Sequence, residues 1–179
     1  MFDFSTSPFL AAGDASGGAA SSSGETVETD PVQIIESLES TLVRFERLIE
    51  NRSADDLRQA AQDGRWGVVE ILSHLWDWED VFHDRLRRIL HEDQPEFEDH
   101  DDTLWAIEHD YGSQDGHAVF ARFSGQRQAL VDELRQLGPE AWERTAVLQG
   151  QGEVTLRALM QWLVEHDIRH FGQARDVFG

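Results

Sequence analysis

The sequence contains no cysteine and no lysine. Without cysteine there is no disulfide framework, no thiolate ligand and no cysteine nucleophile, so any metal must be held by His, Asp or Glu. All fifteen basic residues are Arg, set against thirty-five acidic ones, for a net charge of -20. Such a surface repels phosphate backbones and anionic lipid, which excludes nucleic acid and membrane surfaces as expected partners. No apolar run approaches the roughly 20 residues that span a bilayer. The N-terminus has neither the basic start nor the apolar stretch of a secretory signal, so the expectation is a cytoplasmic protein. Arg in place of Lys fits a GC-rich genome, but the acidic excess points further, to a halophilic or salt-tolerant source. Stability rising with salt is the corresponding expectation.

What is present divides the 179 residues in two. Residues 1–30 include a run of Ala, Gly, Ser and acids from Ala11 to Asp30, in which Val27 alone is a larger apolar residue. Such a composition cannot bury enough surface to offset its ordering entropy and predicts a disordered tail. Residues 31–179 carry enough apolar material for one domain with a real core.

Within that domain the apolar residues recur at steps of three and four, the spacing of amphipathic helices. Asp30-Pro31 is an N-cap followed by Pro at the first helical position, and Ile35, Leu38, Leu42, Phe45 and Ile49 form the seam of a first long helix. Ser53 caps a short helix predicted over Ala54 to Gln62, which Gly64 stops. The second long helix opens at Trp66 and carries Val68, Ile71, Leu75, Trp78, Phe82, Leu86 and Ile89 on one side, with His74 at the edge of that face and His83 towards solvent. From His91 to Gly116 the pattern fails, predicting a long connection with a short helix at Thr103 to Glu108. Loops of that length are usually functional or cover something. A third long helix runs from Gly116 to Leu137, its seam of Phe120, Phe123, Leu130, Leu134 and Leu137 interrupted by Arg127, which must either snorkel or pair with a buried carboxylate. A turn at Glu140 to Arg144 and glycines at 150 and 152 precede the fourth helix. No period-two alternation of useful length appears, so no sheet is expected. The fold class predicted is all-α: a four-helix bundle with a long connection between helices two and three, long enough for a crossover.

The fourth helix, within Val154 to Phe178, carries the main clue to function. Its apolar face runs Leu156, Leu159, Leu163 and then continues as His166, His170 and Gln173. His-x-x-x-His places two imidazoles one turn apart on one face, a geometry that can hold a metal. Adding His74 gives three candidate ligands, His74, His166 and His170, with a fourth position open to water or substrate, as in catalytic zinc sites. Glu70, Asp77 and Asp167 are the carboxylates near enough in sequence to orient the imidazoles. The alternative is that these are ordinary hydrogen-bonded core histidines. There is no HExxH, no glycine-rich phosphate loop and no GxSxG, and the Glu-x-x-His repeats of di-iron bundles are absent in duplicate.

Several segments, in order, resemble the DinB/YfiT-like superfamily. GRWGVVEILSHLWDWE from Gly64 to Glu79 is similar to that family's Trp-led second helix, ARFSGQRQAL from Ala121 to Leu130 to its third, and GEVTLRALMQWL followed by HDIRHFGQ to its last. Gly67 departs from the small hydroxyl residue expected after the tryptophan. The resemblance implies a four-helix bundle, often homodimeric, with a divalent metal (zinc or nickel) on His74, His166 and His170. It further implies a metal-dependent enzyme, a thiol S-transferase using a low-molecular-weight thiol or a hydrolase, although many family members have no assigned reaction. Arg127 and Arg169 are the candidates to meet an anionic thiol. A non-catalytic dimerising or metal-binding helical protein is the competing reading.

Overall fold

The computed structural model describes residues 29–61, 64–98 and 102–179. Residues 1–28 of the proposed tail, the Gln62 end of the short helix and His100 lie outside the described residues. Four long helices make the body: α1 (Pro31–Ile49), α3 (Val68–His91), α5 (Gly116–Leu134) and α7 (Leu156–Val177). Between them come α2 (Ala54–Leu57), α4 (Asp102–Glu108), a 3₁₀ turn (Tyr111–Ser113) and α6 (Pro139–Trp142). No described helix is long and apolar enough to cross a membrane.

The helix starts follow their caps. Asp30 accepts from the Val32 amide at 2.8 Å with Pro31 behind it, and Ser53 and Asp56 close a reciprocal capping box on α2. Thr155 caps α7 through the Ala158 amide. The buried seam of α1 differs from the expected one by a residue in places: Ile34, Leu38, Thr41, Phe45 and Ile49 are buried, while Ile35 and Leu42 sit at its edge. A helix wheel with two adjacent isoleucines leaves that choice to the helices α1 packs on, α5 and α7, and Ile34 is the one buried.

α1 packs on α5 and α7, and α3 packs on the same two helices, so α1 lies diagonally across from α3 and α5 from α7. The crossovers therefore fall between α1 and α3 and between α5 and α7. The long connection between α3 and α5, long enough to allow a crossover, joins direct neighbours instead.

A small sheet corrects the expectation of none. β1 (Glu96–Phe97) runs parallel to β2 (Thr145–Leu148), which pairs antiparallel with β3 (Gly152–Thr155). Gly150 and Gly152 take φ of +80° and +84° in the hairpin, which glycine adopts without a steric penalty. Strands of two to four residues are too short to show alternation, and β1 exists only because β2 is there to pair with.

The core falls into two apolar clusters. One, with Ile34, Leu38, Phe82, Leu86, Leu159 and Leu163, extends under the sheet; the other holds Phe45, Leu57, Ile71, Leu75, Phe123 and Ala174. Along α3 the first cluster begins at Trp78 and the second ends at Leu75; along α7 the first ends at Val164 and the second resumes at Ala174. Buried polar residues mark these breaks: His166, Asp167 and His170 lie within the gap on α7, His74 and Glu79 flank the one on α3, and Arg127 lies between Phe123 and Leu130 on α5.

Candidate metal centre

A buried polar layer is costly unless its members satisfy one another. In this layer α3 supplies His74 and α7 supplies His166 and His170, all under a tenth exposed. His166 and His170 stand one helical turn apart, and the packing of α3 on α7 brings His74 across to them. The Nε2 atom of His74 lies 3.0 Å from that of His166 and 3.1 Å from that of His170. The donor atoms form a cluster able to hold a metal ion.

The chemistry of this donor set fits a cation. Three Nε2 atoms have converged, and a proton on His74 can serve its two neighbours only as a shared bond. An ion accepting all three lone pairs removes that conflict. Tetrahedral ligation at 2.0–2.1 Å sets nitrogens about 3.3 Å apart, so the observed spacings need to open by only about 0.3 Å. Burial, reinforced by neighbouring charges, holds the His74 and His170 imidazoles well below their ordinary pKa, and burial lowers His166 as well against the pull of Asp167. All three are therefore neutral at neutral pH, the form that ligates. The His170 Nδ1–H donates to the Gln173 side-chain carbonyl at 2.8 Å, which leaves the Nε2 lone pair facing the cluster.

Of the three nearby carboxylates, only Asp167 adjoins a candidate ligand, its Oδ1 4.0 Å from His166 Nδ1. Glu70 instead accepts the Gly67 amide and caps α3. Asp77 accepts from the Tyr111 hydroxyl at 2.6 Å and pairs with His109 at 2.5 Å, fastening the long connection to α3. That connection is therefore an aromatic cover. Tyr111 packs on Trp66, which lies 5.0 Å from the His74 ring, and Trp105 packs on Trp78, which touches both His74 and His166.

Arg127 is wholly buried, and its departure from the seam of α5 is explained by two carboxylates. Its guanidinium donates to both oxygens of Glu79 at 2.7–3.0 Å and to Asp167 at 2.5 and 3.3 Å. It does not line a mouth, contrary to the expectation for an anion-binding arginine; Arg169 is exposed. Glu79 was missed from the sequence, although the same signal marks it. Leu72, Leu75, Phe82 and Leu86 make an apolar stripe on α3, and Glu79 interrupts it as Arg127 interrupts α5.

The other described histidines stay outside this centre. His83, expected to face solvent, is half-buried and meets Glu133 at 2.8 Å, because α5 covers that side of α3. His117 meets the Arg52 carbonyl at 3.0 Å, and His91 is exposed.

A cavity of about 60 Å³, bounded by Ala61, Arg65, Trp66, His170, Gln173 and Val177, reaches the centre at His170. That is room for about four or five waters, or for the end of a small molecule.

Fold and site together define a helical bundle with a buried three-histidine centre. The chain belongs to the DinB superfamily, whose family profile matches residues 37–174. Over 139 residues it is 21% identical to a protein of Oceanobacillus iheyensis that carries the name "Putative metal-dependent hydrolase OB0413", covering 76% of this chain and 80% of that one. Its fold is similar to that of YfiT from Bacillus subtilis, described as a probable metal-dependent hydrolase with an unusual four-helix bundle topology. The TM-score is 0.75 and the identity 19%, over 93% of each chain.

Proposed function

We propose that this protein is a metal-dependent hydrolase whose divalent ion, zinc or nickel, is bound by the Nε2 atoms of His74, His166 and His170. The observation that carries this reading is the convergence of three neutral imidazoles at the end of a cavity. A closed structural site would need a fourth protein ligand and no access, whereas here His170 forms part of the cavity wall. A divalent ion in this position would supply Lewis acidity to a carbonyl or phosphoryl oxygen and activate water at neutral pH. The chain's own residues do the rest. Gln173 fixes the His170 tautomer, Trp66 keeps bulk water from the His74 face, and the mostly apolar cavity wall selects a small uncharged end of the substrate.

Arg65 on the same wall favours a second reading, S-transfer from an anionic low-molecular-weight thiol bound at the ion. The two separate by cosubstrate: hydrolysis proceeds without thiol and transfer does not. The proposed assembly is a homodimer.

Elemental analysis of untagged protein should find one divalent ion per chain. His74→Ala should lose that ion and the hydrolysis of a panel of small esters and amides while keeping the helical circular dichroism of the wild type. Wild-type protein that binds no divalent ion, or a His74→Ala protein as active as the wild type, would overturn the proposal.

A further inference from the structure

Glu79 touches none of the three histidines, yet it belongs to their layer. It stands on α3, five residues beyond His74, and both of its oxygens accept from Arg127. Arg127 spans from α5 to α7, where it grips Asp167, the residue beside His166 in the chain and 4.0 Å from its ring. Neither carboxylate nor the guanidinium has any exposure to solvent. With both carboxylates ionised, two of them on one guanidinium leave the group one negative charge in excess; burial raises the Glu79 pKa and the Arg127 charge opposes that rise. A buried excess charge is strongly destabilising unless an opposite charge lies close. Leu38 gives Arg127 only a backbone carbonyl, at 3.4 Å, which adds no positive charge.

Resting on the metal reading above, we propose that Glu79 is a positioning residue for the metal centre. Acting through Arg127, it pins Asp167 beside His166 and leaves the layer with the excess negative charge that a dication offsets. The arrangement has two separable parts. The Arg127 fork, held flat by Glu79, fixes the direction of the Asp167 carboxylate, whose charge stands 4.0 Å from the His166 ring. The excess charge favours a doubly charged ion over a singly charged one in a site whose three ligands are neutral. Glu79 and Arg127 are drawn from two different helices, so the unit also ties the α3–α5 and α5–α7 spacing to the geometry of the histidines.

The test compares the dissociation constants of Zn²⁺ and Co²⁺, by chelator competition, for wild type, Glu79→Gln, Glu79→Met and Glu79→Asp, with urea unfolding of each metal-free protein. Glu79→Gln and Glu79→Met remove the excess charge and should bind both ions about 10- to 100-fold more weakly, the range for losing an outer partner of a ligand. The metal-free forms should be as stable as wild type or more so, since a buried charge has gone. Glu79→Asp keeps the charge and should recover most of the affinity. The visible spectrum of bound Co²⁺ should shift in the two neutral variants, which a purely structural role would not produce. The amide of Gln can oppose Arg127 and impair folding; Glu79→Met makes the same charge change without it. Unchanged affinity in the neutral variants, with stability lost instead, would overturn the inference while leaving the metal reading intact. No binding by the wild type would overturn both.

Discussion

Gly67 offers the sharpest quantitative test of how α3 is seated over the centre. It is the N-cap of α3, with φ −79° and ψ 179°, a conformation open to any residue, so its glycine is not required by the backbone. It is required by space. A Cβ at Gly67 would lie 2.3 Å from the Gln59 carbonyl oxygen, about 0.7 Å inside the 3.0 Å that such contacts respect, and the obstacle is backbone rather than a movable side chain. Forcing an extra carbon into a packed site costs about 1–3 kcal/mol. For a domain of this size each kcal/mol moves the melting temperature by about 2–4 °C. Gly67→Ala should therefore melt about 2–12 °C below wild type. Gly67→Ser should do little better, because a serine cap improves on glycine by only a few tenths of a kcal/mol. The internal control is Gly125, in the middle of α5, exposed and with nothing near its missing Cβ. There the same change to Ala should stabilise by about 0.4–1 kcal/mol. Differential scanning calorimetry with urea titration of the metal-free proteins measures both. Because Trp66 precedes Gly67 and covers His74, Gly67→Ala should also weaken metal binding. Gly67→Ala melting at or above wild type, or the two substitutions acting in the same direction, would refute a steric requirement for Gly67.

Two further outcomes follow from charge. Burial first, then neighbouring charges, hold His74 and His170 well below the ordinary histidine range, and burial lowers His166. The unfolded chain takes up protons near pH 6.5 where the folded metal-free protein does not, so stability is complete above that pH and falls as pH drops below it. The slope is up to about 1.4 kcal/mol per pH unit for each histidine. Urea midpoints from pH 8 to pH 5 measure it, and a flat profile would contradict the neutral cluster. The net charge of -20 repels itself across the folded surface, and salt screens that repulsion, so thermal melts in KCl should rise steadily from low to molar concentration. A melting temperature indifferent to KCl would remove the salt-adapted reading of the acidic surface.

The buried triad accounts for an otherwise unfavourable core. Glu79, Arg127 and Asp167 occupy volume that leucines could fill, and apolar replacements of such groups are often neutral or stabilising. Their retention makes sense where a cation lies alongside. The long connection between α3 and α5 closes the centre from the other side. Asp77, Tyr111 and His109 lock it down, and Trp105 and Tyr111 extend the aromatic wall around the histidines.

By itself the sequence determined the four long helices, because burial of one face writes a local period that needs no partner to be read. It determined that any metal would meet nitrogen or oxygen, since cysteine is absent, and that His166 and His170 share a face. Arg127 as a buried cation was legible as a break in the seam of α5, and Glu79 carries the same mark on α3. Tertiary structure decided what local period cannot encode. His74 joins residues ninety-two and ninety-six positions away only because α3 packs on α7 at that height. The choice of Ile34 over Ile35, the diagonal helix order and the small sheet depend on which elements face each other, and β1 becomes a strand only through pairing with β2. Gly67 shows the division in one residue: the sequence marks it as an unusual cap, and only the approach of the Gln59 carbonyl explains why a larger residue is strained there.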